Sequence, residues 1–100
     1  MSADVMDVLE DYQVRLADVD SLVPYARNSR QHAPSQVAQI KASMVEWGFT
    51  NPILADLSAG NQIVAGHGRQ VAAQELLREG VELTLPGGRP LPRGKVPVID

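Results

Sequence analysis

Apolar and polar positions recur along this chain with periods that define most of its elements. Over 12–16 they alternate, with Val14 and Leu16 pointing one way, which predicts a strand. Residues 18–22 read as a single capped turn and 24–33 as a polar loop. A helix opens near Pro34 and Ser35, a first-turn proline and a capping hydroxyl, and runs to Trp47 before stopping at Gly48. Within it Val37, Ile40, Met44 and Trp47 recur at spacings of three, four and three, one apolar stripe expected to pack in the core. Two short apolar runs at 52–56 and 62–65 read as strands joined by the polar turn Ser58-Ala59-Gly60-Asn61. A second helix is expected over 67–79, ending at Gly80, and a last strand over 96–99. Between them, 81–95 holds Pro86, Gly87, Gly88, Pro90, Pro92 and Gly94, and reads as an extended or hairpin-like insertion. The order β, α, β, β, α, β predicts an α+β (mixed α/β) domain with helices packed on a mixed sheet.

Composition narrows the function. One hundred residues make one domain at most, and 44% apolar residues suffice for a small core. There is no apolar run of membrane-spanning length and no basic-then-apolar leader, so no membrane partner is expected. The chain has no cysteine, which excludes disulfides, thiolate chemistry and cysteine-ligated metal and fits a reducing cytoplasm. With His32 and His67 its only histidines, no metal site is expected.

A net charge of −3 argues against a surface that binds nucleic acid everywhere. The charge is unevenly placed. Asp4, Asp7, Glu10, Asp11, Asp18 and Asp20 crowd one end, and 1–11 reads as a flexible acidic lead-in to a domain over 12–100. Basic residues gather at Arg27 and Arg30 and again at Arg89, Arg93 and Lys95, either as solvated surface or as two local anion sites.

The chemistry concentrates in Gln62-Ile63-Val64-Ala65-Gly66-His67-Gly68-Arg69-Gln70. A strand that turns through glycines into a helix presents the helix's first N–H groups and the positive end of its dipole. Glycines give a phosphate clearance, and Arg69 adds a charged, bidentate donor. The plainer reading is a tight connection with a solvent-facing arginine, and for His67 a capping or packing residue in place of the ligand contact that the surrounding glycines and arginine favour.

Three segments, in order, resemble the ParB/sulfiredoxin superfamily, specifically ParB-like N-terminal domains. Tyr25-Ala26-Arg27-Asn28-Ser29-Arg30-Gln31 is similar to the family's NPxQPR-type loop. The stretch from Ile40 through Glu46-Trp47-Gly48-Phe49-Thr50-Asn51-Pro52-Ile53 resembles SIxExGxxQPIxV, and Ile63-Val64-Ala65-Gly66-His67-Gly68-Arg69-Gln70-Val71-Ala72-Ala73 resembles IVAGERRxRAA. Val96-Pro97-Val98-Ile99 is similar to the closing VPVIV strand. Here His67-Gly68 stands where the family has Glu-Arg, and the insertion at 81–95 resembles ParB-like domains attached to DNA methyltransferases in phage and mobile-element proteins.

The resemblance implies a nucleotide- or phosphate-binding domain of a DNA-associated protein, in plasmid or chromosome partition or in DNA modification. Its ligand would be a nucleoside triphosphate, CTP or ATP, with Mg²⁺. By position, Gly66, His67, Gly68 and Arg69 would hold phosphates, Arg30 would approach the triphosphate, and Thr50 and Asn51 would line the nucleotide or ribose side. Further C-terminal domains and a homodimer are expected partners. DNA binding by this part alone would be weak and non-specific, with Arg89, Arg93 and Lys95 as the contact to DNA or a neighbouring domain. Other members of the superfamily imply enzymes: a small-molecule kinase or nucleotide hydrolase with Glu46 as the catalytic carboxylate, or a ParB-like nuclease. Sulfiredoxin chemistry is excluded, because its cysteine falls at His67 and the chain has none.

Overall fold

The computed structural model describes residues 14–24 and 33–100. Four strands form one sheet: β1 (Val14–Asp18), β2 (Ile53–Asp56), β3 (Gln62–Ala65) and β4 (Lys95–Ile99), in the spatial order β1-β4-β2-β3. β4 pairs antiparallel with β1 and parallel with β2, while β2 and β3 form an antiparallel hairpin. Two helices, α1 (Pro34–Trp47) and α2 (His67–Arg78), cover one face. The class is the α+β arrangement that the order of elements predicted.

Alternation along the strands decides which face is covered. Ala17, Val96, Val98, Ile53, Ala55 and Ile63 point inward and meet Val37 and Met44 of α1 and Ala72, Ala73 and Leu76 of α2. The two alanines are fully buried, and their small side chains let α2 lie close to the sheet. The other face leaves Val14, Leu16, Leu54 and Val64 exposed. Pro97, opposite Leu16 in a central strand, has no N–H to donate, and the β2–β4 ladder runs from Val98, just past it.

Local chemistry sets the element ends. α1 begins with Pro34 at its first position, but its N-cap is Ala33, and no side chain caps it. Ser35, the expected capping hydroxyl, sits inside the first turn. Trp47 also departs from expectation, being 63% exposed instead of packed in the core. The helix ends there, Gly48 turns with φ 84°, and Phe49 fills the core position. β1 runs two residues past the expected end, to Asp18, with the exposed pair Val14 and Leu16 on its outer side and Ala17 on its inner one, while 12 and 13 lie outside the described residues. The capped turn at 18–22 is a single 3-10 turn, Val19–Ser21, closed by the Ser21 hydroxyl donating to the Asp18 carbonyl at 2.7 Å. The β2–β3 hairpin carries another such turn, in which Asp56 accepts from the N–H (2.9 Å) and hydroxyl (2.6 Å) of Ser58. That carboxyl is held below its ordinary pKa, first by the Ser58 hydroxyl and then by backbone N–H groups.

Two long-range devices fix the layout. Lys41 of α1 reaches Glu79 and, at 3.3 Å, Glu75 of α2, which raises its pKa above the ordinary lysine value. Residues 19–23 cross from the end of β1 to the far edge of the sheet. Val19 donates to the Gly94 carbonyl at one end, and Val23 pairs with β3 through Asn61 and Ile63 at the other. Residues 81–95 form a hairpin-like arm, with Thr84 bridged to Pro90 and Leu83 bonded to Leu91. The acidic lead-in at 1–11 and the loop carrying Arg27 and Arg30 lie outside the described residues.

Candidate functional site

The strand-to-helix turn is built on Gly66, which caps α2 in the left-handed region at φ 102°. No side chain caps this helix; the Arg69 and Gln70 N–H groups both return to the Gly66 carbonyl, at 3.0 and 3.2 Å. A Cβ on Gly66 would lie 2.9 Å from the Arg69 guanidinium and 3.4 Å from Ile53, so the residue is required both by conformation and by space. Gly68 is helical and buried, which puts the turn's conformational demand on the first glycine alone.

Arg69 lies half-buried beside β2, where it donates to the Pro52 carbonyl at 3.5 Å. Its guanidinium opens onto a cavity of about 310 Å³ between α1 and the 48–51 connection. Gln39 and Ser43 of α1 supply one polar wall, Thr50 and Asn51 the other, and Ile40, Met44 and Phe49 an apolar floor. Apolar surface with a few convergent polar groups, at the lower end of the usual size range, describes a small-ligand site. Arg69 is its one cation among the described residues.

The structure thus brings Thr50, Asn51 and Arg69 around one space, with Gly66, His67 and Gly68 immediately behind Arg69. Arg30 lies outside the described residues. Glu46 is exposed on α1 and does not line the cavity. Arg89 and Arg93 are exposed on the arm, while Lys95 pairs with Asp18 at 2.9 Å across the β1–β4 ladder. Among the described residues no group of three His, Asp or Glu side chains could hold a metal, and no helix is long and apolar enough to cross a membrane.

Three contributors were not foreseen. Gln39 and Ser43 stand one helical turn apart beside Ile40 and Met44, so polar residues bordering an apolar stripe were the available signal. Gln70, only 3% exposed, sits inside the recognised motif but carries no chemical signature of its own.

No family model matches the chain, and no solved structure matches it. A curated protein does: the ParB-like nuclease domain-containing protein YnaK of Escherichia coli (strain K12), 38% identical over 79 residues, which are 79% of this chain and 88% of the relative. Likeness of that extent covers more than two thirds of both chains, and the chain belongs to the ParB-like domain family.

Proposed function

We propose that this ParB-like domain binds a nucleotide or another phosphorylated ligand, as part of a DNA-associated protein of the partition or DNA-modification kind. One observation carries the reading: Arg69, in the first turn of a helix that no side chain caps, lines a cavity with neutral polar walls. The helix N-terminus and the guanidinium suit phosphate oxygens. Gln39, Ser43, Thr50 and Asn51 suit the hydroxyls and ring edges of a nucleoside.

The relative's name carries a nuclease reading, and the superfamily carries kinase and hydrolase ones. Each requires a base or a set of carboxylates at the reacting atoms. The described cavity lining contains neither a carboxylate nor an imidazole, and Glu46 stands outside it. Binding is therefore the better-supported function. A triphosphate would bring Mg²⁺ bound mainly to its own oxygens and to waters.

Titration of CTP, ATP, GTP and ADP, each with Mg²⁺, into the labelled protein tests this. Amide NMR shifts should appear first at 48–51 and 66–69. No binding at millimolar nucleotide, or shifts confined to the separate groove between Leu77, Leu83 and Leu91, would overturn the assignment.

A further inference from the structure

Helix α2 leaves its N-terminus without a side-chain cap, and something else must hold its first turn. The structure assigns that work to Gln70. Its backbone N–H closes the turn onto the Gly66 carbonyl. Its side-chain amide, buried with the residue at 3% exposure, donates to the Val19 and Leu22 carbonyls, both at 2.9 Å. One residue therefore ties the glycine turn to the crossing segment, 51 and 48 positions away in sequence.

Packing alone does not ask for an amide in this place. Every neighbour at this depth in α2 is apolar or small, and a leucine would fill the volume. What a leucine would not do is satisfy two carbonyls on residues that are themselves buried, Val19 and Leu22. The crossing segment is already fixed at Gly94 and at β3, so its carbonyls are a firm abutment for the start of the helix. Gln70 is thus a positioning residue for the proposed phosphate site, holding Gly66, Gly68 and Arg69 in place without occupying the helix end that the ligand needs. This inference rests on the phosphate-site reading above.

The test compares Gln70→Leu with two controls. Gln74→Leu removes the exposed link from the same helix to Asp20 of the same segment, 2.9 Å in the structure. Val96→Ala lowers stability through the core, away from the turn. Affinity for CTP and for inorganic pyrophosphate, each with Mg²⁺, is measured on the folded fraction, together with hydrogen exchange of the Gly68 and Arg69 amides. Gln70→Leu should weaken binding at least tenfold and speed exchange at both amides, while both controls stay within twofold in affinity. Gln70→Leu binding within twofold of wild type would overturn the inference, as would an equal loss in Val96→Ala. If wild type binds neither probe, the phosphate reading falls. The exchange comparison then decides separately, with unchanged rates overturning the role of Gln70 as well. Should Gln70→Leu fail to fold, Gln70→Met, which keeps the side-chain length, replaces it.

Discussion

Arg69 takes its position from a backbone that only glycine permits. With Gly66 at φ 102° and its absent Cβ 2.9 Å from the guanidinium, the arginine lies flat against the turn and reaches the Pro52 carbonyl. Arg69→Ala should weaken nucleotide binding by roughly 1.5–3 kcal/mol, the usual value of hydrogen bonds to a charged group, with a melting temperature near wild type. An unchanged dissociation constant, read by calorimetry, would reduce Arg69 to a surface residue. Gly66→Ala should do more harm to the fold, by about 1–3 kcal/mol in denaturant unfolding, because it adds left-handed strain to a displaced arginine. The turn itself was legible beforehand, because a β-branched run that breaks at glycines before an Ala-rich helix marks a strand-to-helix connection. Gln70 was not, since burial and partners 48 and 51 positions away leave no local trace in sequence. Trp47 misled for a related reason: helical spacing fixes direction, whereas burial depends on how far the helix extends over the sheet.

The elements show the same division. α1, β3 and α2 matched their sequence periods closely, because an amphipathic helix and a short β-branched run carry their own signatures. β1 runs on to Asp18, two positions past its expected end, its one small inward residue, Ala17, being a weaker marker than the exposed Val14 and Leu16. Two contacts at this scale titrate. Lys41, between Glu79 and Glu75, has a raised pKa, so its contribution to stability is complete below the unfolded-state value and is lost as pH rises through the folded one. Wild type should lose stability above roughly pH 10 more steeply than Lys41→Met, and added salt should shrink the difference. Asp56 behaves in the opposite sense. Its lowered pKa supports the hairpin above the ordinary carboxylate value and ceases to do so as pH falls through the folded one. In Ser58→Ala, carbon-detected NMR titration should return the Asp56 pKa toward ordinary, and the loss of stability below roughly pH 4 should become shallower.

For the whole molecule, the sequence carried the class and the family, since three motifs in the right order outweigh the weakness of each. The chain carries 9 Lys and Arg against 12 Asp and Glu, so DNA affinity should be low, indifferent to sequence and steeply salt-dependent. Arg89 and Arg93 are exposed on the arm, whereas Lys95 is occupied by Asp18. Replacing both arginines by alanine should reduce the slope of log affinity against log salt by roughly 2 and leave nucleotide binding unchanged. Fluorescence anisotropy with a random duplex at several salt concentrations measures this, and a sequence-selective, salt-resistant complex would contradict it.

The arm meets the cavity wall along a tight seam. Phe49 N–H donates to the Thr84 carbonyl at 2.7 Å, and a Cβ on Gly48 would come within 2.6 Å of the Leu85 carbonyl oxygen. Gly48 and Phe49 line the cavity, so the base of the arm is also masonry for the site. Beyond it, Gly87, Gly88 and Arg89 stand in solvent. The arm therefore divides into a part that descendants of this chain must inherit unchanged and a part they are free to rewrite. Lengthening or grafting at the tip can give a new attachment while the site keeps its shape, and the same edit two residues nearer the base would reach the cavity wall.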